Sequence, residues 1–197
     1  MKGFCLGALC AVCLSGGVSC ASAEEGVTLG DERFGEYVPG LKGKRVAVFS
    51  NQSGIVGDVM GKDKDGNTVY GPHLVDVLKD KGVDVKVIFS PEHGFRGDAD
   101  AGEKVGDGVD GKTGVEIVSL YGTGSHPRSE DMDKFDVLLV DIQDVGLRYY
   151  TYYITMSHLM ESCAAADKKV IILDRPNPNG FYVDGPVLEP EYKSGVG

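Results

Sequence analysis

The chain has 197 residues, of which 42% are hydrophobic and 25% charged. That composition excludes a disordered chain and leaves room for one domain with a real core, or slightly more than one. With 30 acidic against 20 basic residues, bulk attraction to nucleic acid or to an anionic membrane is excluded as well.

Residues 1–23 read as a secretory leader. Lys2 gives the positive start, "FCLGALCAVCLSG" the short apolar run, and Ala21-Ser22-Ala23 the small residues for cleavage before Glu24. The run is too short and too rich in glycine and serine for a stable transmembrane helix. Acylation of Cys20 as a lipoprotein is the alternative, although the preceding "GVS" lacks the usual leucine. The expected location is periplasmic or secreted. Cleavage removes Cys5, Cys10, Cys13 and Cys20, so Cys163 remains alone and no intramolecular disulfide forms. The loss of Lys2 leaves 19 basic against 30 acidic residues, a formal charge of −11.

After a lead-in over 24–41, the pattern alternates regularly through 42–185. "RVAVFS" (Arg45–Ser50) is a β-branched strand. "PHLVDVLKDKG" (Pro72–Gly82) is a helix with proline at its first position and glycine at its end. Val83–Ser90 and Val115–Gly122 are further strands. Ser129–Phe135 is a short helix capped by Ser129. Asp136–Gln143 is a fourth strand. Leu147–Lys168 is a long helix whose apolar face is Tyr149, Tyr153, Met156, Met160 and Cys163. Lys169–Asp174 is a fifth strand. Continuously apolar strands separated by helices predict an α/β fold, a Rossmann-like parallel sheet with helices on both faces. No G-x-G-x-x-G follows the first strand, so nothing marks a nucleotide. Asp63–Asn67 resembles the start of a calcium loop, but Thr68 and Leu74 occupy the glycine and closing-acid positions, so a plain Asp65-Gly66 turn is expected. The long loop Gly94–Gly114 reads as functional, because it leaves directly from Glu92-His93.

In parallel α/β sheets ligands bind beyond the carboxyl ends of the strands. All five expected strands here leave through polar loops: "NQSG" (Asn51–Gly54), "PEHG" (Pro91–Gly94), "GTGSHPR" (Gly122–Arg128), "DIQDVG" (Asp141–Gly146) and "DRPNPNG" (Asp174–Gly180). One shared site on one sheet edge explains all five. The candidates are the carboxylates Glu92, Asp141, Asp144 and Asp174, the amides Asn51, Gln52, Gln143 and Asn177, the arginines Arg148 and Arg175, and His93. Amides and carboxylates suit the hydroxyls of a sugar, and arginine suits a carboxylate or phosphate on it. A glycosidase needs an acid to protonate the leaving oxygen and a second group for water or for the sugar carbon.

Several of these residues have plainer readings. Glu92 reads also as a loop or capping residue, Asp141 as an acceptor for loop N–H groups, and Asp174-Arg175 as a structural ion pair. Tyr149 and Tyr153 read as core. Tyr152 sits one helical turn beyond Arg148 and reads as facing the same side. His73, His126 and His158 read as surface or loop histidines, and Cys163 as a buried small residue. There is no nucleophile elbow and no zinc spacing such as H-E-x-x-H. A metal-dependent phosphoesterase built on the acids is the third reading, against which the missing ligand spacing counts.

The motifs "GKRVAVFSNQSG", "SPEHGFRGDADAGEKV", "SLYG", "DIQDVGLRYYTY", "LDRPNPNG" and "GPVLE" stand in an order that resembles the NamZ-type exo-β-N-acetylmuramidases. The resemblance runs from about Lys42 to the last residue. It implies a secreted or periplasmic glycoside hydrolase that releases N-acetylmuramic acid from the non-reducing end of peptidoglycan fragments. It implies Glu92 as the leading catalytic residue, with His93, Asp141, Gln143, Asp144 and Arg148 in the cleft, and no metal or nucleotide. The lactyl carboxylate of muramic acid would account for an arginine in the site, whether Arg96, Arg148 or Arg175. Ser53 stands where threonine is common, and Tyr149 where phenylalanine is common. The family pairs a Rossmann-like part with a second subdomain at roughly twice this length. The resemblance thus implies that 186–197 begins a second subdomain that is largely missing, which leaves a non-catalytic muropeptide-binding module as the alternative.

Overall fold

The computed structural model describes residues 27–57, 59–97, 106–121 and 126–196. The expected leader, the middle of the long loop (98–105) and most of the third strand exit (122–125) lie outside the described residues.

The elements in chain order are α1 (Phe34–Tyr37), β1 (Arg45–Ser50), β2 (Gly61–Lys62), β3 (Thr68–Val69), α2 (Leu74–Asp80), β4 (Asp84–Ser90), β5 (Gly108–Val109), β6 (Glu116–Ser119), α3 (Ser129–Met132), β7 (Val137–Asp141), α4 (Tyr152–Ala165) and β8 (Lys169–Ile172). The main sheet has the order β5-β6-β4-β1-β7-β8, with every pair parallel except β5 against β6. Counted among the parallel strands alone, the order is third-second-first-fourth-fifth, the doubly wound arrangement. The fold is therefore α/β and Rossmann-like, with one antiparallel strand added at the β6 edge. The chain changes direction of winding between β1 and β7, and in sheets of this kind the ligand crevice lies at such a switch point.

Side chains alternate across the sheet and divide the core in two. Val46 and Val48 of β1 join Leu139 of β7, Leu74 and Leu78 of α2, and Tyr37 of α1 on one face. Ala47 and Phe49 join Leu138, Phe89, Phe135, and Leu159 and Cys163 of α4 on the other. Each fully buried Phe or Leu here contributes about 1.5–3 kcal/mol by leaving water.

Three local expectations are corrected. Of the expected face of α4, Cys163 is buried and Met156 packs on the core, joined by the buried Leu159 and Tyr152, whereas Tyr149, Tyr153 and Met160 are 73%, 38% and 40% exposed. The helix starts at Tyr152 because Leu147–Tyr150 closes as a turn, with the Tyr150 N–H on the Leu147 carbonyl at 2.9 Å. His73, expected at the surface, is buried and caps α2: its Nδ1 accepts the Val75 N–H at 3.2 Å. Helix α3 begins after Arg128, so Ser129 is its first residue rather than its cap. The Asp63–Asn67 segment is the expected turn, closing the β2–β3 hairpin with Asp63 accepting from Asp65 and Asn67. His126 and His158 stack at 4.4 Å between ring centroids. Among the described residues no helix is long and apolar enough to cross a membrane.

Candidate functional site

The site is built outward from the crevice between β1 and β7, where Ser50 pairs with Asp141 at the ends of the two strands. Asn51 is buried and organises the β1 exit. Its Oδ1 accepts from the Ser53 N–H at 2.9 Å and the Ser53 hydroxyl at 2.6 Å, and its carbonyl receives His73 Nε2 at 2.8 Å. With Nδ1 of His73 accepting, Nε2 carries the proton and the ring is neutral, as burial favours. The Ser53 hydroxyl also accepts the Gln143 N–H at 3.0 Å, which ties the two exits together. Gly54 lies so close beneath them that a Cβ there would meet Ser50 Oγ at 2.3 Å and Asp141 Oδ2 at 3.0 Å. Gln52 is exposed and packs beside Gly97, where a Cβ would come within 3.1 Å of it.

Glu92 stands on the neighbouring exit, in a tight turn closed by the Gly94 N–H on the Pro91 carbonyl at 3.3 Å. His93 holds a left-handed conformation in that turn, φ 72°. For a residue with a Cβ this costs roughly 1–2 kcal/mol, strain of the kind that collects at functional sites. Glu92 itself is half-buried. Strands β4 and β6 run in register, Ser90 opposite Ser119, so Glu92 and Tyr121 each lie two residues beyond a paired serine. The Tyr121 hydroxyl is raised above its usual pKa, first by the Glu92 charge and then by hydrogen bonding to it. Tyr152 is buried and is pushed up to about 12, mainly by that burial, with Tyr150 and Glu92 adding smaller rises and a hydrogen bond with Asn51 opposing them. Tyr150 and Tyr152 meet edge to face at 4.6 Å. The structure thus brings Glu92, Asn51 and Tyr152 together and adds Tyr121 and Tyr150. For Tyr121 the signal in the sequence was nearness to a strand end: it lies in "SLYG", two residues past β6.

Other expected site residues are placed differently. Arg96 braces the loop after Glu92 from within. Its guanidinium grips Asp110 through Nε and Nη2, both at 2.8 Å, and Asp76 through Nη2 at 2.9 Å. With those donors engaged it is not available to a sugar. Arg175 is 6% exposed and divides its donors between Asp141 and Asp31, each at 2.7 Å. Asp141 is fully buried, and burial pushes it up to about 6 against the pull of Arg175. It is a buried partner of Arg175, not a ligand-facing acid. Asp31, in the lead-in 144 residues away, has no pattern that would have revealed it.

Asp144 is part-exposed, and its Oδ1 accepts the Gly146 N–H at 2.7 Å. Its Oδ2 is shielded from solvent and has no hydrogen-bond partner among the described residues. The Gln143 amide donates to the carbonyls of Asp144 and Pro176, at 2.6 and 3.0 Å. Asn177 accepts the Asn179 N–H at 2.9 Å and packs on Gly146, where a Cβ would strike it. These amides hold the fourth and fifth exits against each other. Asp174 is exposed and lines a groove beside β8 with Gly30, Tyr37 and Leu173. Arg148 is exposed and makes no ion pair among the described residues. Among them, too, no three His, Cys, Asp or Glu side chains converge as metal ligands.

This geometry has close relatives. The family described as exo-beta-N-acetylmuramidase NamZ, N-terminal, matches residues 46–197. The peptidoglycan beta-N-acetylmuramidase NamZ of Bacillus subtilis (strain 168) is 41% identical over 168 residues, which is 85% of this chain and 38% of that protein. Two crystal structures of DUF1343 family proteins from Bacteroides fragilis NCTC 9343 share the fold. The first is 51% identical, with a TM-score of 0.68 over 86% of this chain and 40% of its own. The second is 36% identical, with a TM-score of 0.66 over 85% and 40%. The chain therefore spans about two fifths of the length of these relatives. On the match across residues 46–197, the chain belongs to the exo-β-N-acetylmuramidase NamZ family, in its N-terminal part.

Proposed function

We propose that this chain carries the catalytic-acid side of an exo-acting glycoside hydrolase that releases N-acetylmuramic acid from the non-reducing end of peptidoglycan fragments. The observation that carries the reading is Glu92: a half-buried carboxyl on a strained turn, beside the crevice and flanked by Tyr121 and Tyr152. A carboxyl held there is suited to protonate the leaving glycosidic oxygen and to return to the carboxylate as the product departs. Asn51, Gln52 and Gln143 supply amides at the same edge, although Asn51 and Gln143 mainly hold the exits in place. Of the two acids expected to assist Glu92, Asp144 fits better, since Asp141 is buried on Arg175. The role in cell-wall turnover, and export by the 1–23 leader, belong to the same proposal.

Release of free muramic acid from a muramyl-glucosamine disaccharide by the full-length protein tests it. Glu92→Gln is expected to lower kcat by a factor on the order of 100 or more with KM little changed. Wild-type rates in that variant would remove Glu92 from the chemistry. Edman sequencing of the protein recovered outside the cytoplasm tests the leader, with Glu24 as the expected first residue.

One observation favours a second reading, that of a muropeptide-binding module: Asp141, a candidate second acid, is sealed from the ligand side. Binding of muramic acid by calorimetry without turnover of the disaccharide would select it.

A further inference from the structure

The turn Leu147–Tyr150 carries Arg148 and Tyr149 at its two corners. It stands between the β7 exit, one wall of the crevice, and the first turn of α4, where Tyr152 is buried near Asn51. Both corner side chains are exposed. Among the described residues, four other cations of these loops are engaged. Arg175 is held by Asp141 and Asp31, Arg96 by Asp110 and Asp76, Lys112 by Asp76 at 2.6 Å, and Arg128 by Asp131 at 2.6 Å. In a chain of net charge −10, an exposed arginine without a carboxylate partner among the described residues, on the turn that leads into Tyr150 and Tyr152, is unusual.

We infer that this turn is the acid-reading corner of the sugar site. Arg148 takes the lactyl carboxylate of N-acetylmuramic acid in a two-pronged hydrogen bond, and Tyr149 packs against the face of the ring. The inference rests on the muramidase reading and deepens it. N-acetylmuramic acid differs from N-acetylglucosamine by a lactyl ether that is anionic at neutral pH. An acidic protein edge repels that anion unless a cation meets it. A guanidinium does so bidentately and with fixed direction, where a lysine offers a point charge. An aromatic ring beside the cation supplies the apolar surface on which the C–H face of a sugar rests. The site thereby distinguishes the two sugars by one side chain.

The test is calorimetric binding of three probes to the full-length protein: N-acetylmuramic acid, its lactyl methyl ester and N-acetylglucosamine. The wild type is expected to bind the free acid roughly 10- to 100-fold more tightly than the ester, the range of a charged hydrogen-bonded pair. Arg148→Met removes that gap by weakening the acid alone, and Arg148→Lys keeps part of it. Tyr149→Ala weakens all three probes alike. Lys62→Met, on the exposed β2–β3 hairpin, leaves the gap intact. Added salt narrows the gap in the wild type and not in Arg148→Met. Equal wild-type affinity for acid and ester overturns the inference, as does a gap that survives Arg148→Met, or failure to bind any probe. Turnover is not read here: binding as expected without hydrolysis of the disaccharide overturns the hydrolase reading and leaves this one standing.

Discussion

Arg175 Nε donates to Asp141 Oδ1 at 2.7 Å, and the two side chains are 6% and 0% exposed. The same guanidinium reaches Asp31 at 2.7 Å and the Ile55 carbonyl at 3.2 Å. One cation thus joins the lead-in, the β1 exit and the ends of β7 and β8. Removing it strands two carboxylates away from water. Arg175→Met is expected to destabilise the protein by about 3–5 kcal/mol in urea unfolding. A loss under about 1 kcal/mol would mean that the cluster is solvated and holds nothing together.

Two acids sharing one arginine leave an excess of negative charge in the interior. Burial raises both, Asp141 to about 6 and Asp31 above its usual value, with Arg175 opposing in each case. A carboxyl raised in the folded state keeps its proton where the unfolded chain has lost it. Its contribution to stability is full below the unfolded pKa, about 3.9, and is lost as pH rises through about 6. Asp31→Asn removes one charge and lets Asp141 ionise beside Arg175 alone. The variant is therefore expected to gain on the wild type between about pH 4 and pH 7, by on the order of 1–3 kcal/mol. Parallel stability curves for the two proteins over that range would show that the acids do not compete.

The second arginine cluster has the opposite pH dependence. Asp110 lies well below the usual carboxylate range, chiefly through its hydrogen bonds from Arg96. Asp76 is lowered as well: burial pushes it up, but Arg96 and Lys112 together outweigh that. Acids lowered in the folded state stabilise above the unfolded pKa and lose that contribution as pH falls. Arg96→Met is expected to cost about 3 kcal/mol at neutral pH, less near pH 3, and to loosen the turn that carries Glu92. Lys112→Met, whose side chain is 64% exposed, is expected to cost under about 1 kcal/mol. A substrate-binding arginine behaves in reverse, with affinity lost and stability kept, so a melting curve separates the two roles. Unchanged stability in Arg96→Met would return Arg96 to the ligand side.

The contrast between these arginines shows where sequence reasoning stops. The parallel strands are continuous apolar runs, so their order along the chain and their polar exits were legible, and with them the edge that carries Glu92. The fate of each arginine was not. The acids that engage Arg96 lie 14 and 20 residues away, and those that engage Arg175 lie 34 and 144 away. No local pattern connects them, so a brace and a ligand hand look alike. Helix α4 failed for another reason. Tyr149, Tyr150, Tyr152, Tyr153 and Ile154 are apolar on all sides, so two stripes satisfy helical spacing. The helix begins only at Tyr152 and buries Tyr152, Leu159 and Cys163, which leaves Tyr149 outside it.

The remaining prediction concerns Tyr121 and the direction in which Glu92 points. Tyr121 is 40% exposed, so burial has little part in its raised pKa, which follows from the Glu92 charge and then from hydrogen bonding to it. A negative neighbour disfavours tyrosinate, and a neutral one does not. Glu92→Gln is therefore expected to bring the Tyr121 titration back toward about 10. The measurement is tyrosinate absorbance against pH, taken as the difference from Tyr121→Phe so that one residue is read. In the same variant series Tyr121→Phe should lower kcat by roughly tenfold and leave KM nearly unchanged, since a hydroxyl that aims a carboxyl acts on the reacting geometry more than on binding. A Tyr121 midpoint indifferent to Glu92→Gln would mean that the carboxyl faces elsewhere, and the turn at Pro91–Gly94 would then have to open before Glu92 could serve any sugar in the crevice.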